Sequence, residues 1–206
     1  MGLSCEEFQG HTAVMMKRII IYVVAMFISL SLCHCYVFAG NTPLRAGGPL
    51  PEITLFAPKI SAHQEYLGVS GSGSFKIPDI KADVVIVEIF GVTCPHCLKA
   101  APSLNKLYET IENNPVSKGR VKLIAIGAGN DIYEIDYYRK KYKIKFPLFD
   151  DEDYSIHEQI GEPPTPYFIC VKVDDDGIHR VFYTQTGGFK RAADFLDKVL
   201  EKSGLI

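Results

Sequence analysis

A chain of 206 residues is long enough for one domain with a sizeable core and an appendage. Its 22 Lys and Arg against 24 Asp and Glu leave a formal charge of −2, which speaks against a basic nucleic-acid surface. No internal repeat or low-complexity tract is evident.

Residues 1–39 read as targeting sequence. Met15-Met16-Lys17-Arg18 supplies a basic start, Ile19 to Leu32 is apolar apart from Ser29 and Ser31, and Val37-Phe38-Ala39 puts small residues before a cleavage point at Gly40. The polar leader before Met15 points to translation starting at Met15 or Met16. The competing reading is a retained membrane anchor, although the apolar run is short of the roughly 20 residues a span needs. A lipid anchor on Cys33 or Cys35 is disfavoured by the bulk of Leu32 and His34. Removing this segment leaves three of the six cysteines, Cys94, Cys97 and Cys170. One closely spaced pair in an exported domain is a redox centre rather than a disulfide framework.

Residues 40–52, with Gly47-Gly48-Pro49 and Pro51, read as a linker to a domain over 53–206. Ile53 to Phe56 is a short strand, and Gly68 to Ser74 is a flexible Gly/Ser turn without a phosphate-binding pattern. Val84-Val85-Ile86-Val87 is short, β-branched and continuous, as suits a strand buried on both faces. Apolar residues then recur at Cys97, Ala101, Leu104, Tyr108 and Ile111, one face of a helix. Val121 to Ile126 is a second buried strand, so strand, helix and strand form a parallel unit. Residues 131–142 are helical with Ile132, Ile135, Tyr138 and Tyr142 on one side, Asp150 to Asp153 is a solvated loop, and Tyr154 to Ile160 is a helical turn or two stopped by Gly161. Tyr167 to Val173 and Ile178 to Gln185 form a hairpin joined at Asp174 to Gly177, and Lys190 to Lys202 is a terminal helix with Phe195, Leu196, Val199 and Leu200 inward.

The two cysteines therefore sit where a buried strand turns into a helix. Pro95 falls near the first helical position, where its missing N–H is no loss. Cys94 faces the unpaired N–H groups and positive dipole end of that helix, which stabilise the attacking thiolate. Cys97 lies one turn in on the apolar stripe, less exposed and suited to resolve a mixed disulfide. His96 is either a solvent-facing spacer or a ring that donates to, or sits charged beside, the Cys94 thiolate. Glu88 is either a carboxylate reaching water or a buried acid, of raised pKa, that moves the proton on and off Cys97. Cys170 is a packed strand thiol.

An acid six residues before Cys94-Pro95-His96-Cys97, and Pro102 eight residues after its first cysteine, resemble the thioredoxin superfamily. The Cys-Pro-His-Cys centre is similar to that of the DsbA oxidases, and the layout is more like the TlpA and ResA branch of extracytoplasmic thiol-disulfide oxidoreductases. That branch usually has Trp where Thr93 stands, and this chain has none. The resemblance covers roughly residues 49–206. It implies an α/β thioredoxin fold, a central mixed β-sheet flanked by helices on both faces. It also implies a cis bond at Thr165-Pro166, aiming the Thr165 backbone at the disulfide and at an extended substrate strand.

The implied function is an exported disulfide reductase, periplasmic or otherwise extracytoplasmic, exchanging a Cys94–Cys97 dithiol with protein thiols and disulfides. Expected site residues are Cys94, Cys97, Glu88 and His96, with Thr165 and Pro166 binding substrate. The expected protein is a monomer with a membrane thiol-disulfide donor or acceptor, no nucleic-acid partner, no metal and no cofactor beyond the cysteine pair. Two alternatives stand beside it. A peroxiredoxin-like peroxidase is weakened by Glu88, which stands where a proline belongs if Cys94 were peroxidatic. A non-enzymatic metallochaperone or structural module of the same fold is weakened by the intact Cys94-x-x-Cys97 with its matched acid and proline, Glu88 and Pro102, and a structural zinc site by the lack of a second paired ligand set.

Overall fold

The computed structural model describes residues 42–173 and 179–206, with Arg18 and Tyr22 as isolated positions before them. The proposed leader 1–39 and the turn Asp174–Gly177 lie almost wholly or wholly outside the described residues. The elements are β1 (Thr54–Phe56), α1 (Ser61–Leu67), β2 (Ser74–Lys76), β3 (Val84–Phe90), α2 (Pro95–Asn113), β4 (Val121–Ala128), α3 (Ile132–Tyr142), β5 (Leu148–Asp151), α4 (Ser155–Gln159), β6 (Tyr167–Lys172), β7 (Arg180–Thr186) and α5 (Ala192–Ser203).

A five-stranded sheet has the order β5-β4-β3-β6-β7, and β1 and β2 form a separate antiparallel pair. β3 and β4 are parallel, as are β4 and β5, whereas β6 is antiparallel to β3 and β7 to β6. This is the expected mixed sheet with helices on both faces. All seven residues of β3 are buried, so it is the central strand and runs three residues beyond the Val84–Val87 core of the pattern.

The pleat of β3 sorts its side chains between two cores. Val84, Ile86 and Phe90 pack with Leu104, Leu107 and Ile111 of α2, Ile135 and Tyr138 of α3, and Leu196 and Val199 of α5. Val85, Val87 and Ile89 pack on the other side with Leu67 of α1, Ile156 of α4 and the β1–β2 pair. Glu88 shares the parity of Ile86 and Phe90, so it faces the layer that contains α2.

Several local expectations are corrected. Leu107, not Tyr108, completes the buried stripe of α2, while Tyr108 is half-buried. Ile132 is 41% exposed rather than inward, because it begins α3 at the rim of the sheet. Asp150 and Asp151 belong to β5, and Asp151 is buried. Its carboxylate accepts the Ile156 and His157 N–H groups at 2.9 Å each, and so serves the start of α4. α1 has no counterpart in the apolar pattern, since only Leu67 of its seven residues is buried.

Residues 42–52 are not a free tether. Leu44 N–H donates to Ile160 O (2.8 Å), Gly47 N–H to Val181 O (2.7 Å) and Leu50 N–H to His179 O (3.1 Å), so the segment lies beside β7. Gly161 permits this approach. Its φ is +82°, and a Cβ there would stand 2.1 Å from the Thr42 carbonyl oxygen.

Candidate active site

β3 delivers the chain into α2 through Gly91, Val92 and Thr93. Cys94 is the N-cap of α2, with extended backbone (φ −72°, ψ 116°), and Pro95 takes the first helical position. Cys97 is fully buried on the inward stripe of the helix, Cys94 is half-buried, and both are free thiols. The Thr165–Pro166 bond is cis. Cys94 Sγ lies 3.5 Å from the Thr165 carbonyl oxygen, and Gly187 N–H donates to Pro166 O at 2.8 Å from the other side. Five of the six expected site residues thus meet around the start of α2. His96 is beside them but exposed.

The two thiols differ electrostatically. Burial pushes Cys94 up, but hydrogen bonds from the Cys97 thiol, the Thr165 side chain and the backbone N–H groups of Cys97 and His96 outweigh it, leaving Cys94 below the usual thiol range. Cys97 is pushed up to about 12, chiefly by burial and then by its hydrogen bond to Cys94, with Glu88 adding to the rise. The contribution of His96 to the lowered Cys94 pKa is its backbone N–H.

Glu88 is 2% exposed, and its Oε1 has no hydrogen-bond partner among the described residues. Burial, reinforced by the Cys94 charge, raises its pKa well above the ordinary carboxyl value. In β3 it pairs in register with Ala125 of β4 and Phe168 of β6. Its charge also contributes, after burial, to the raised pKa of Tyr138. The Tyr138 hydroxyl lies 3.5 Å from the Cys97 carbonyl oxygen. Cys170 is fully buried in β6, where burial raises its pKa.

Two participants escaped the sequence patterns. Tyr138 was legible only as a core position of α3. Asn130, 6% exposed, accepts the Val92 N–H at 3.0 Å and donates through Nδ2 to Glu134 Oε2 at 3.1 Å. Asp131 and Glu134 form a capping box at the start of α3. That box is visible in sequence, but its link to the loop before Cys94 is not. A larger cleft of about 640 Å3, between β1 and the β5–α4 region, is lined by none of the expected site residues. Among the described residues, no three His, Cys, Asp or Glu side chains form a metal-ligand group.

A thioredoxin-like family model matches residues 82–177, which contain β3, both thiols and the cis proline. The thiol-disulfide oxidoreductase ResA of Bacillus thuringiensis subsp. konkukian (strain 97-27) is 27% identical over 124 residues, 60% of this chain and 68% of that one. The chain resembles the ResA-like oxidoreductases of the thioredoxin superfamily. ResA of Bacillus subtilis (strain 168) is 21% identical over 150 residues, 73% of this chain and 74% of its own. The fold of this ResA-like chain matches a putative thiol:disulfide interchange protein DsbE from Chlorobium tepidum at a TM-score of 0.58, with 13% identity, covering 78% of this chain and 98% of that one. StoA from Bacillus subtilis matches at 0.52, with 17% identity and coverage of 74% and 98%.

Proposed function

We propose that this ResA-like oxidoreductase reduces disulfides in protein substrates through Cys94 and Cys97. The observation that carries the reading is the opposed tuning of the pair. The half-buried thiol at the helix N-terminus is lowered in pKa, and the buried one is raised to about 12. A nucleophile needs the first property and a waiting resolver the second.

The Cys94 thiolate attacks one substrate sulfur, the substrate S–S bond breaks, and the departing sulfur takes up a proton. Cys97 then loses its proton and attacks Cys94 Sγ. The mixed disulfide breaks and the second substrate thiol leaves. The dithiol has given two electrons and ends as the Cys94–Cys97 disulfide, while the substrate gains two electrons and two protons. The ionised form of Glu88, populated as the pH approaches its raised pKa, receives the Cys97 proton in the second step and returns it to the departing substrate sulfur; the raised pKa makes that carboxylate a stronger base than an ordinary one. Thr165 and Pro166 flank the thiols and hold the substrate chain.

The basic, apolar and small-residue pattern of residues 15–39 supports export to the periplasm or another extracytoplasmic space, with Gly40 as mature N-terminus. The working protein is a monomer, re-reduced by a membrane thiol-disulfide partner. Intact-mass analysis of protein from cells checks the N-terminus, and retention of the apolar run would favour the anchor.

Trapping tests the roles. Cys97→Ser should accumulate mixed disulfides through Cys94, and Cys94→Ser should accumulate none. Equal trapping by both variants would overturn the assigned order. Peroxide turnover and stoichiometric copper or zinc binding by the reduced protein would instead support the peroxidase and metal-carrier alternatives.

A further inference from the structure

The loop that leads into Cys94 forms one wall of a groove against α3. Val92 and Thr93 stand on one side, and Tyr133, Tyr137, Tyr138 and Tyr142 on the other, around a cavity of about 390 Å3. Tyr133 and Tyr137 are 81% and 65% exposed. They lie four residues apart, hence one turn apart on the same edge of α3. Large exposed aromatics gathered beside a reactive group are the type of side chain that carries binding energy at protein interfaces.

The charges of the groove are engaged by the protein itself. Glu134 Oε2 accepts from Asn130 Nδ2 at 3.1 Å and from Asp131 N–H at 3.2 Å. Lys141 Nζ lies 5.5 Å from the ring centroids of both Tyr137 and Tyr142. What remains for a ligand is aromatic surface with the Val92 and Thr93 side chains, an uncharged and mainly apolar lining that selects an apolar group rather than an ion.

Position decides the occupant. Thr93 precedes Cys94 directly, about 3.8 Å away between Cα atoms. A substrate whose sulfur is bonded to Cys94 Sγ brings its neighbouring residues with it. An extended chain advances about 3.3 to 3.6 Å per residue, so a side chain two or three residues from the substrate cysteine reaches the groove. The buried end of the groove also touches the site, since the Tyr138 hydroxyl faces the Cys97 carbonyl.

We infer that the tyrosine-lined groove between the 91–93 loop and α3 is a specificity pocket for an aromatic or large aliphatic side chain of the substrate polypeptide, two or three residues from its reacting cysteine. The inference rests on the oxidoreductase reading and adds to it the class of sequence preferred.

The test uses pre-reduced full-length protein in single turnover. The probes are short peptides with one cysteine held as its glutathione mixed disulfide. Phe, Leu, Ser or Gly stands two residues before the cysteine in one series and two residues after it in the other. Glutathione disulfide gives the reference rate of the wild-type thiols. The expected result is a second-order rate constant roughly tenfold or more higher for Phe or Leu than for Gly in at least one series. That ratio should collapse towards one in the Tyr133→Ser/Tyr137→Ser variant. A wild-type ratio near one in both series, or a ratio the double variant keeps, overturns the pocket while leaving the oxidoreductase reading intact. Failure of the wild type to reduce any probe, glutathione disulfide included, overturns both. A homodimer at assay concentrations that the double variant abolishes assigns the face to a second copy and also overturns the pocket.

Discussion

Glu88→Gln isolates one buried proton, and its effect on stability has a definite sign. In the unfolded chain a glutamate carboxyl titrates near pH 4.3. In the folded chain burial holds Glu88 protonated well above that. Between the two values the native state binds one more proton than the unfolded state, so stability falls as pH rises. The slope is 2.303RT, about 1.4 kcal/mol per pH unit. Glutamine keeps the shape and removes the proton. The variant should therefore gain on the wild type as the pH rises above the unfolded value, at up to that slope, until the pH passes the native pKa of Glu88. Other carboxylates whose pKa values are lowered, such as Asp136, contribute equally to both proteins and cancel in the difference. Urea denaturation of the reduced proteins at pH 5, 6 and 7 reads the effect. With a urea m-value of about 1–3 kcal/mol/M, the midpoints should separate by up to about 0.5–1.4 M per pH unit while the pH stays below the native pKa of Glu88. Midpoints that run parallel across this range would refute the buried neutral carboxyl.

The same variant should slow the release of bound substrate while leaving the first attack by Cys94 nearly intact, and single-turnover kinetics with equal slowing of both steps would count against proton transfer to Glu88. Brief alkylation of the reduced protein at pH 8, followed by peptide mass analysis, should label Cys94 and spare Cys97, whose pKa of about 12 leaves on the order of one molecule in ten thousand as thiolate. His96→Pro removes the backbone N–H that helps stabilise the Cys94 thiolate, whereas His96→Ala keeps it. Thiolate absorbance should show a higher Cys94 pKa in the proline variant than in the alanine variant, and the potential should become more negative by about 30 mV per pKa unit. Equal shifts in the two would assign the effect to the imidazole ring. Asn130→Ala strands the Val92 N–H and should cost about 1–3 kcal/mol in urea denaturation, with an unchanged midpoint counting against that hydrogen bond.

Much of the site is local and was therefore readable along the chain. The β-branched run of β3, the proline after Cys94 and the four-three spacing of α2 are each encoded within a few residues, because backbone propensity and helix period act at that range. The alternation of β3 also implies that Glu88 faces the side of Cys97 once the strand is known to reach Phe90. The pairing of the thiols with Thr165 and Pro166 came from family resemblance rather than periodicity, since 71 residues separate Cys94 from Thr165.

Tertiary structure alone decided the rest. The Asn130 contact with Val92 spans 38 residues, and nothing in an Asn-Asp pair before a helix says which distant N–H it will meet. Asp151 looked like part of a solvated acidic run, yet β5 carries it inward to the unpaired N–H groups of α4. Residues 42–52 have the composition of a tether, but their backbone groups find partners on β7 and Ile160. Tyr133 and Tyr137 lie on the same helix as buried Tyr138 but outside its inward stripe, and only the packing of α3 against the Cys94 loop leaves them at the mouth of a groove. Periodicity specifies which face of an element is apolar; it does not specify which distant backbone groups, rims and clefts that face will meet, because those depend on how the layers close on one another.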